Sequence, residues 1–234
     1  IINGGDGFDT VTFAKAASGV VASLTGGSAG DAAGDVYTSI ERLIGSNHAD
    51  SLTGNGAAVL QGGRGNDTYY VSGSDRVIET AGGGFDTVVF RGSYQLNADA
   101  DVEVLKLAGV SASASVTLIG SNSANTLQGH AGKNILKGLG GNDVLKGGYG
   151  NDTLYGGSGK DTFVFDTKLG SSKTDRKVNF DKIADFNVKD DSIWLDNAIF
   201  KKLGKGTALK PGKLNKAFFT SGDKAKDKND YLVY

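Results

Sequence analysis

Along residues 120–164 an apolar side chain recurs at every ninth position, as Leu127, Leu136, Leu145, Leu154 and Phe163. Two residues before each stands Asn or Asp: Asn125, Asn134, Asp143, Asp152 and Asp161. Five residues earlier still, each unit opens on Gly. Three features that keep phase through GSNSANTLQ, GHAGKNILK, GLGGNDVLK, GGYGNDTLY and GGSGKDTFV mark a repeat. The Gly-rich start permits a tight turn with positive φ. The residues after the Asp, such as Thr153, Leu154 and Tyr155, suit a short strand whose alternation turns the eighth place to one face. Nine residues cannot bury that side chain alone, but stacked coils can. Two units make one coil, giving two short parallel sheets with turns along both edges. Turns two units apart then stack, which places Asp143 near Asp161 and Asn134 near Asp152.

Less regular copies occur earlier, as GGDGFDTVT at 4–12, GSNHADSLT at 45–53, GGRGNDTYY at 62–70 and AGGGFDTVV at 81–89. Composition agrees. The 234 residues include 37 Gly, one Pro, 23 Asp and only 3 Glu, with no Cys and no Met. So few strong helix formers argue against a bundle. Collagen would need Gly at every third place with abundant Pro. The absence of Cys excludes disulfides, Cys-ligated zinc and thiol catalysis. No apolar run approaches the length of a membrane span. Residues 1–165 carry a net charge of −6 and 32 of the Gly; residues 166–234 carry +5 and 5 Gly. This predicts a boundary near residue 165. The lysines beyond it are interleaved with Asp, which reads as a solvated surface and not as a nucleic-acid site. The opening IINGGDGFDT lies mid-pattern without Met, as expected of a piece of a longer chain.

Stacked turns carry an electrostatic penalty. Carboxylates in rows about 4.8 Å apart raise each other's pKa and oppose folding. A divalent cation between the turns removes the repulsion. The donors are carboxylates and freed loop carbonyls, all hard oxygens. That suits Ca²⁺, with its 6–8 oxygen ligands, better than the smaller Mg²⁺.

GGYGNDTLY and GGSGKDTFV resemble the nonapeptide GGxGxDxUx of the RTX, or hemolysin-type, calcium-binding repeat proteins. The tail DTFVFDTKLG, followed by DKIADFNVKDDSIWLDNAIF, resembles the region after the last repeats near the C terminus of proteins exported by type I secretion. The expected fold is an all-β parallel β-roll, a β-helix-type solenoid, with a C-terminal β-rich capping region. The expected divisions are an irregular region over 1–119 with a short repeat tract at 45–70, a regular roll over 120–165, and a capping, secretion-associated region over 166–234. The resemblance implies several Ca²⁺ ions. Carboxylate ligands would come from the sixth place, as Asp9, Asp67, Asp86, Asp143, Asp152 and Asp161. Backbone carbonyls would come from the second and fourth: Gly5 and Gly7, Gly63 and Gly65, Leu139 and Gly141, Gly148 and Gly150, Gly157 and Gly159. Asn134 and Asn125 depart from the pattern and should make weaker or empty sites. Asp185 in IADF, with Asp181, resembles a ligand closing the last site. Each of these Asp could instead simply form a turn.

The family also implies a monomeric, secreted protein of a Gram-negative bacterium, exported by type I secretion machinery and folded by extracellular calcium. It implies no catalysis within these residues. The alternative is an adhesive or polysaccharide-binding module, favoured if Arg64, Arg91, Lys137 and Lys146 align in one groove. Other motifs are weaker. Gly26–Gly30 matches G-x-S-x-G but lacks the strand, helix and His partner of a nucleophile elbow. His48 and His130 read as exposed loop residues. Trp194, Ile199, Phe200, Phe218 and Phe219 are expected to pack a cap over the open end of the roll.

Overall fold

A computed structural model of the chain describes residues 1–109, 111, 114–167 and 179–196, with the backbone of Phe219–Thr220 and Leu232–Val233. Among the described residues the roll is all-β apart from one 3₁₀ turn, Gly30–Ala32. Its first face is a ten-stranded sheet from Gly26–Ala29 through Val21–Ser23, Ser51–Thr53, Thr68–Val71 and onward to Thr162–Phe165 and Ser192–Leu195. Every pairing in it is parallel except the first, where Gly26–Ala29 returns antiparallel along Val21–Ser23. The G-x-S-x-G match therefore forms an edge hairpin that ends the sheet.

The second face is divided. Thr10–Thr12, Arg42–Ile44, Val59–Gln61 and Arg76–Ile78 form one parallel sheet. Tyr94–Gln95, Val116–Ile119, Asn134–Gly140, Thr153–Ser158 and Lys182–Ile183 form another. At the gap Tyr94 donates its hydroxyl to the Asp75 carbonyl (3.1 Å) and Asn97 donates Nδ2–H to the Val77 carbonyl (3.1 Å). Two side chains thus satisfy strand-edge carbonyls that lack a strand partner.

The core follows from the ninefold pattern. Leu52, Tyr69, Val88, Leu105, Leu127, Leu145 and Phe163 stand in register across the first sheet. Leu43, Leu60 and Val77, then Leu118, Leu136 and Leu154, do so across the second face. All are buried. Burying one such side chain is worth about 1.5–3 kcal/mol, so the stability of the roll accumulates coil by coil.

Strand pairing runs through residues 119–120 and 165–166 without interruption. At the far end Phe163, Phe165, Ile183 and Phe186 pack together. Trp194, expected in the cap core, instead sits at an outward strand position beside Val164 and is 58% exposed. Ile199, Phe200 and Phe218 lie outside the described residues, and only the backbone of Phe219 is described.

Candidate metal centre: the stacked acidic turns

Each sixth-place residue ends a turn and enters a strand. In Asp67, Asp86, Asp143, Asp152 and Asp161 the carboxylate accepts the backbone N–H of the equivalent residue one coil earlier. Along the edge that feeds the first sheet, Asp50 N–H donates to Asp67 (2.8 Å) and Asp67 N–H to Asp86 (2.8 Å). Further on, Asn125 N–H donates to Asp143 (2.8 Å), Asp143 N–H to Asp161 (2.9 Å) and Asp161 N–H to Asp191 (3.0 Å). On the opposite edge Asn134 N–H donates to Asp152 (2.7 Å) and Asp152 N–H to Asp181 (2.9 Å). The expected neighbours, Asp143 with Asp161 and Asn134 with Asp152, are thus joined directly.

That hydrogen bond uses one carboxylate oxygen. The other, Oδ2, is buried without a hydrogen-bond partner in Asp67, Asp86, Asp143, Asp152 and Asp161, and Asp9 Oδ2 is likewise buried and unpartnered. These are the six carboxylates singled out by the nonapeptide pattern. Burial pushes Asp67, Asp86 and Asp143 up to about 7, against the N–H donation that lowers them. Burial raises Asp152 and Asp161 as well, and lifts Asp181 to about 7. Asp67, Asp86, Asp143, Asp152, Asp161 and Asp181 are therefore costly to ionise in the fold as it stands.

Glycine is needed to bring the turns this close. A Cβ on Gly157 would lie 2.2 Å from the Leu139 carbonyl oxygen, and one on Gly159 would lie 1.8 Å from that of Gly141. Both glycines have positive φ, 101° and 137°. Second- and fourth-place carbonyls of one turn thus point at the same places of the next. First-place glycines give the carboxylate its room: a Cβ on Gly138 would sit 2.0 Å from Asp143 Oδ2. Leu139 takes a second-place φ of 85° without being glycine.

Among the described residues no group of three acidic or histidine side chains could hold a metal ion. A cation between two turns would therefore rely on carboxylates completed by turn carbonyls. Hard oxygen donors with orphaned, buried Oδ2 atoms fit Ca²⁺.

Other side chains along the rows are satisfied by protein donors and acceptors. Asp50 Oδ2 accepts Ser46 N–H (2.5 Å) and Asp75 Oδ2 accepts Ser72 N–H (2.9 Å). Asn125 Oδ1 accepts Ser121 N–H (2.8 Å) while its Nδ2 donates to the Val102 carbonyl (2.6 Å). Asp185 accepts the amides of Gly156 (2.9 Å) and Gly157 (3.1 Å). Glu79 stands over Gly62 in the same way, accepting its N–H (3.0 Å) and the Tyr69 hydroxyl. Asp191 continues the row that Asp185 does not join.

Sequence reasoning missed Glu41, Asp75, Glu103 and Asp191 as row members. Glu41 accepts Asp9 N–H (2.9 Å), Asp75 accepts Ala58 N–H (2.8 Å) and Glu103 accepts Asp86 N–H (2.5 Å). Their signal was the second half of the repeat alone, an acid followed by x–apolar–x, as in Glu41-Arg-Leu43-Ile and Asp75-Arg-Val77-Ile. His130, expected in an exposed loop, is half-buried and engages Asn134 and Ser111. The four cations do not form one groove. Lys137 lies on the second face, 5.4 Å over the Tyr155 ring, whereas Lys146 lies on the first, paired with Asp166 at 3.3 Å.

A family model described as the RTX calcium-binding nonapeptide repeat matches in four copies, over residues 44–78, 117–145 and 137–166. No curated protein matches the chain.

Proposed function

We propose that this chain, an RTX-type repeat protein with an all-β parallel roll, is a calcium-driven folding module that serves the export and stabilisation of a larger secreted protein. The repeats are a structural calcium-binding module and not a catalytic one. The observation that carries the reading is the set of six buried, unpartnered Oδ2 atoms at the sixth places. In the absence of calcium these carboxylates oppose the fold; with calcium they hold it.

In this reading Asp9, Asp67, Asp86, Asp143, Asp152 and Asp161 supply carboxylate oxygens. The second- and fourth-place residues of glycine-type turns, among them Gly63, Gly65, Gly148, Gly150, Gly157 and Gly159, supply carbonyls. Bound calcium contributes the positive charge that neutralises the rows. The chain's own part is to present oxygens in stacked turns and exclude water above the leucine core. Asp181, Asp185 and Asp191 close the C-terminal end, so residues 179–196 cap the roll. In the low calcium of a cytosol the chain stays unfolded and passes a type I exporter. Outside, each ion at 100 times its Kd adds about 2.7 kcal/mol, and extracellular modules have Kd near 10⁻⁴–10⁻³ M.

The test is a CaCl₂ titration of chelator-treated protein, followed by far-UV circular dichroism and Trp194 fluorescence with MgCl₂ as control. A steep, calcium-specific coil-to-β transition between about 0.1 and 10 mM is expected. A chain fully folded in chelator at pH 8 would overturn the proposal.

A further inference from the structure

The turn at 129–134 breaks the pattern of orphaned carboxylates. Its sixth-place residue, Asn134, is completely buried. Four oxygens surround Asn134 Nδ2. They are the carbonyls of His130 (3.2 Å), Gly132 and Gly147 (3.4 Å), and Asp152 Oδ1 at 3.0 Å. The first two are the second- and fourth-place carbonyls of its own turn. The others are the first-place carbonyl and sixth-place carboxylate of the turn stacked on it. All four can only accept, so whatever lies among them must be a cation or a proton donor.

The amide orientation follows from the same contacts. With Nδ2 in this position its two N–H groups have acceptors on every side. Reversed, Oδ1 would face four acceptors and no donor. Oδ1 is instead turned to His130 Nδ1 at 2.8 Å. In the stacked pair 138–143 and 156–161, the sixth-place Asp143 leaves Oδ2 buried without a donor.

We infer that Asn134 occupies the cation position of its turn pair with its own amide nitrogen, so that the Asn134–Asp152 pair closes without calcium. The inference rests on the calcium reading above. Asn134 is then the residue that determines which stacked turns take an ion. An Asp there would restore the orphaned oxygen, and a cation would be needed where two N–H groups now suffice. One coil contact in the middle of the regular tract is in this way held together before calcium arrives.

The test counts bound calcium by equilibrium dialysis of the whole chain, wild type against Asn134→Asp. The variant is expected to bind one ion more per chain than the wild type. An equal or lower count in the variant overturns the inference, and leaves the calcium function standing if the wild type binds ions. If the wild type binds none and the variant binds one, the inference holds and the proposed function fails. If neither binds, both fall. Should the variant not fold, anomalous diffraction from calcium-loaded wild-type crystals decides. Ions at the Asp143–Asp161 pair and none beside the Gly132 carbonyl uphold the inference; an ion beside that carbonyl overturns it.

Discussion

Protons and calcium should be interchangeable in this fold. Asp67, Asp86 and Asp143 are essentially inaccessible and titrate at about 7, against 3.8 for an ordinary Asp. Holding one such group ionised in the roll costs about 4 kcal/mol. The three together cost about 12 kcal/mol. That matches the whole margin of an ordinary domain, about 5–15 kcal/mol. The sign is fixed by the raised folded-state values. Below about pH 4 these carboxyls are protonated in both states and the cost is absent. As pH rises from about 4 through 7 the unfolded chain gives up its protons first, and stability is lost; above about pH 7 the loss is complete. Urea melts of chelator-treated protein, read by circular dichroism from pH 4.5 to 8, should show stability falling with pH by up to about 4 kcal/mol per pH unit. Saturating calcium should abolish the fall. A calcium-free chain whose stability is flat or rises from pH 4.5 to 7.5 would refute the reasoning, because the buried carboxylates would then carry no ionisation cost.

Asp143→Asn should change sign with calcium: in chelator at pH 8 it raises stability by up to about 4 kcal/mol, and in calcium it weakens the fold and lowers the ion count, both read by parallel melts and dialysis. Gly157→Ala places a side chain at a φ of 101° against the Leu139 carbonyl and should cost at least about 1–2 kcal/mol. Leu139→Gly, which relieves a φ of 85°, should gain up to about 1 kcal/mol; calorimetry in calcium checks the pair. Leu145→Ala leaves a hole in a fully buried column and should cost about 2–5 kcal/mol, seen as a shift of the folding midpoint to higher calcium.

The period of nine was enough to locate the coils because it fixes two things at once, the inward leucine and the carboxylate two residues before it. Leu127, Leu145 and Phe163 stack in register for that reason. The Asp143–Asp161 contact follows from the same count. Glu41 and Glu103 were not legible as row members because their turns lack the glycine half of the unit, and Asp75 because its turn keeps only the fourth-place Gly73. Their carboxylates nonetheless reach the same amide, Glu by means of one more methylene. The role of Asn134 was only partly legible. Loss of charge could be read from the residue type, but four converging acceptors arise only when the next turn is stacked upon it. Trp194 was misplaced because residue type spoke for burial while strand parity decided exposure: it pairs with Val164, one residue out of phase with Phe163.

The carboxylate-to-amide ladder has a direction. Along these rows a coil offers an N–H that its successor accepts, from Asp50 to Asp67, from Asn125 to Asp143 to Asp161, and from Asp161 to Asp191. A growing roll is therefore always one coil short of complete. Its newest turn leaves an amide waiting, and the residue some seventeen to thirty positions later quiets it. Trimming the leading end removes a donor and leaves a carboxylate that water can serve. Trimming the trailing end strips the acceptor from the coil behind it and passes the defect backward along the stack. For a chain that emerges gradually, the end that arrives last is the one that locks all the others.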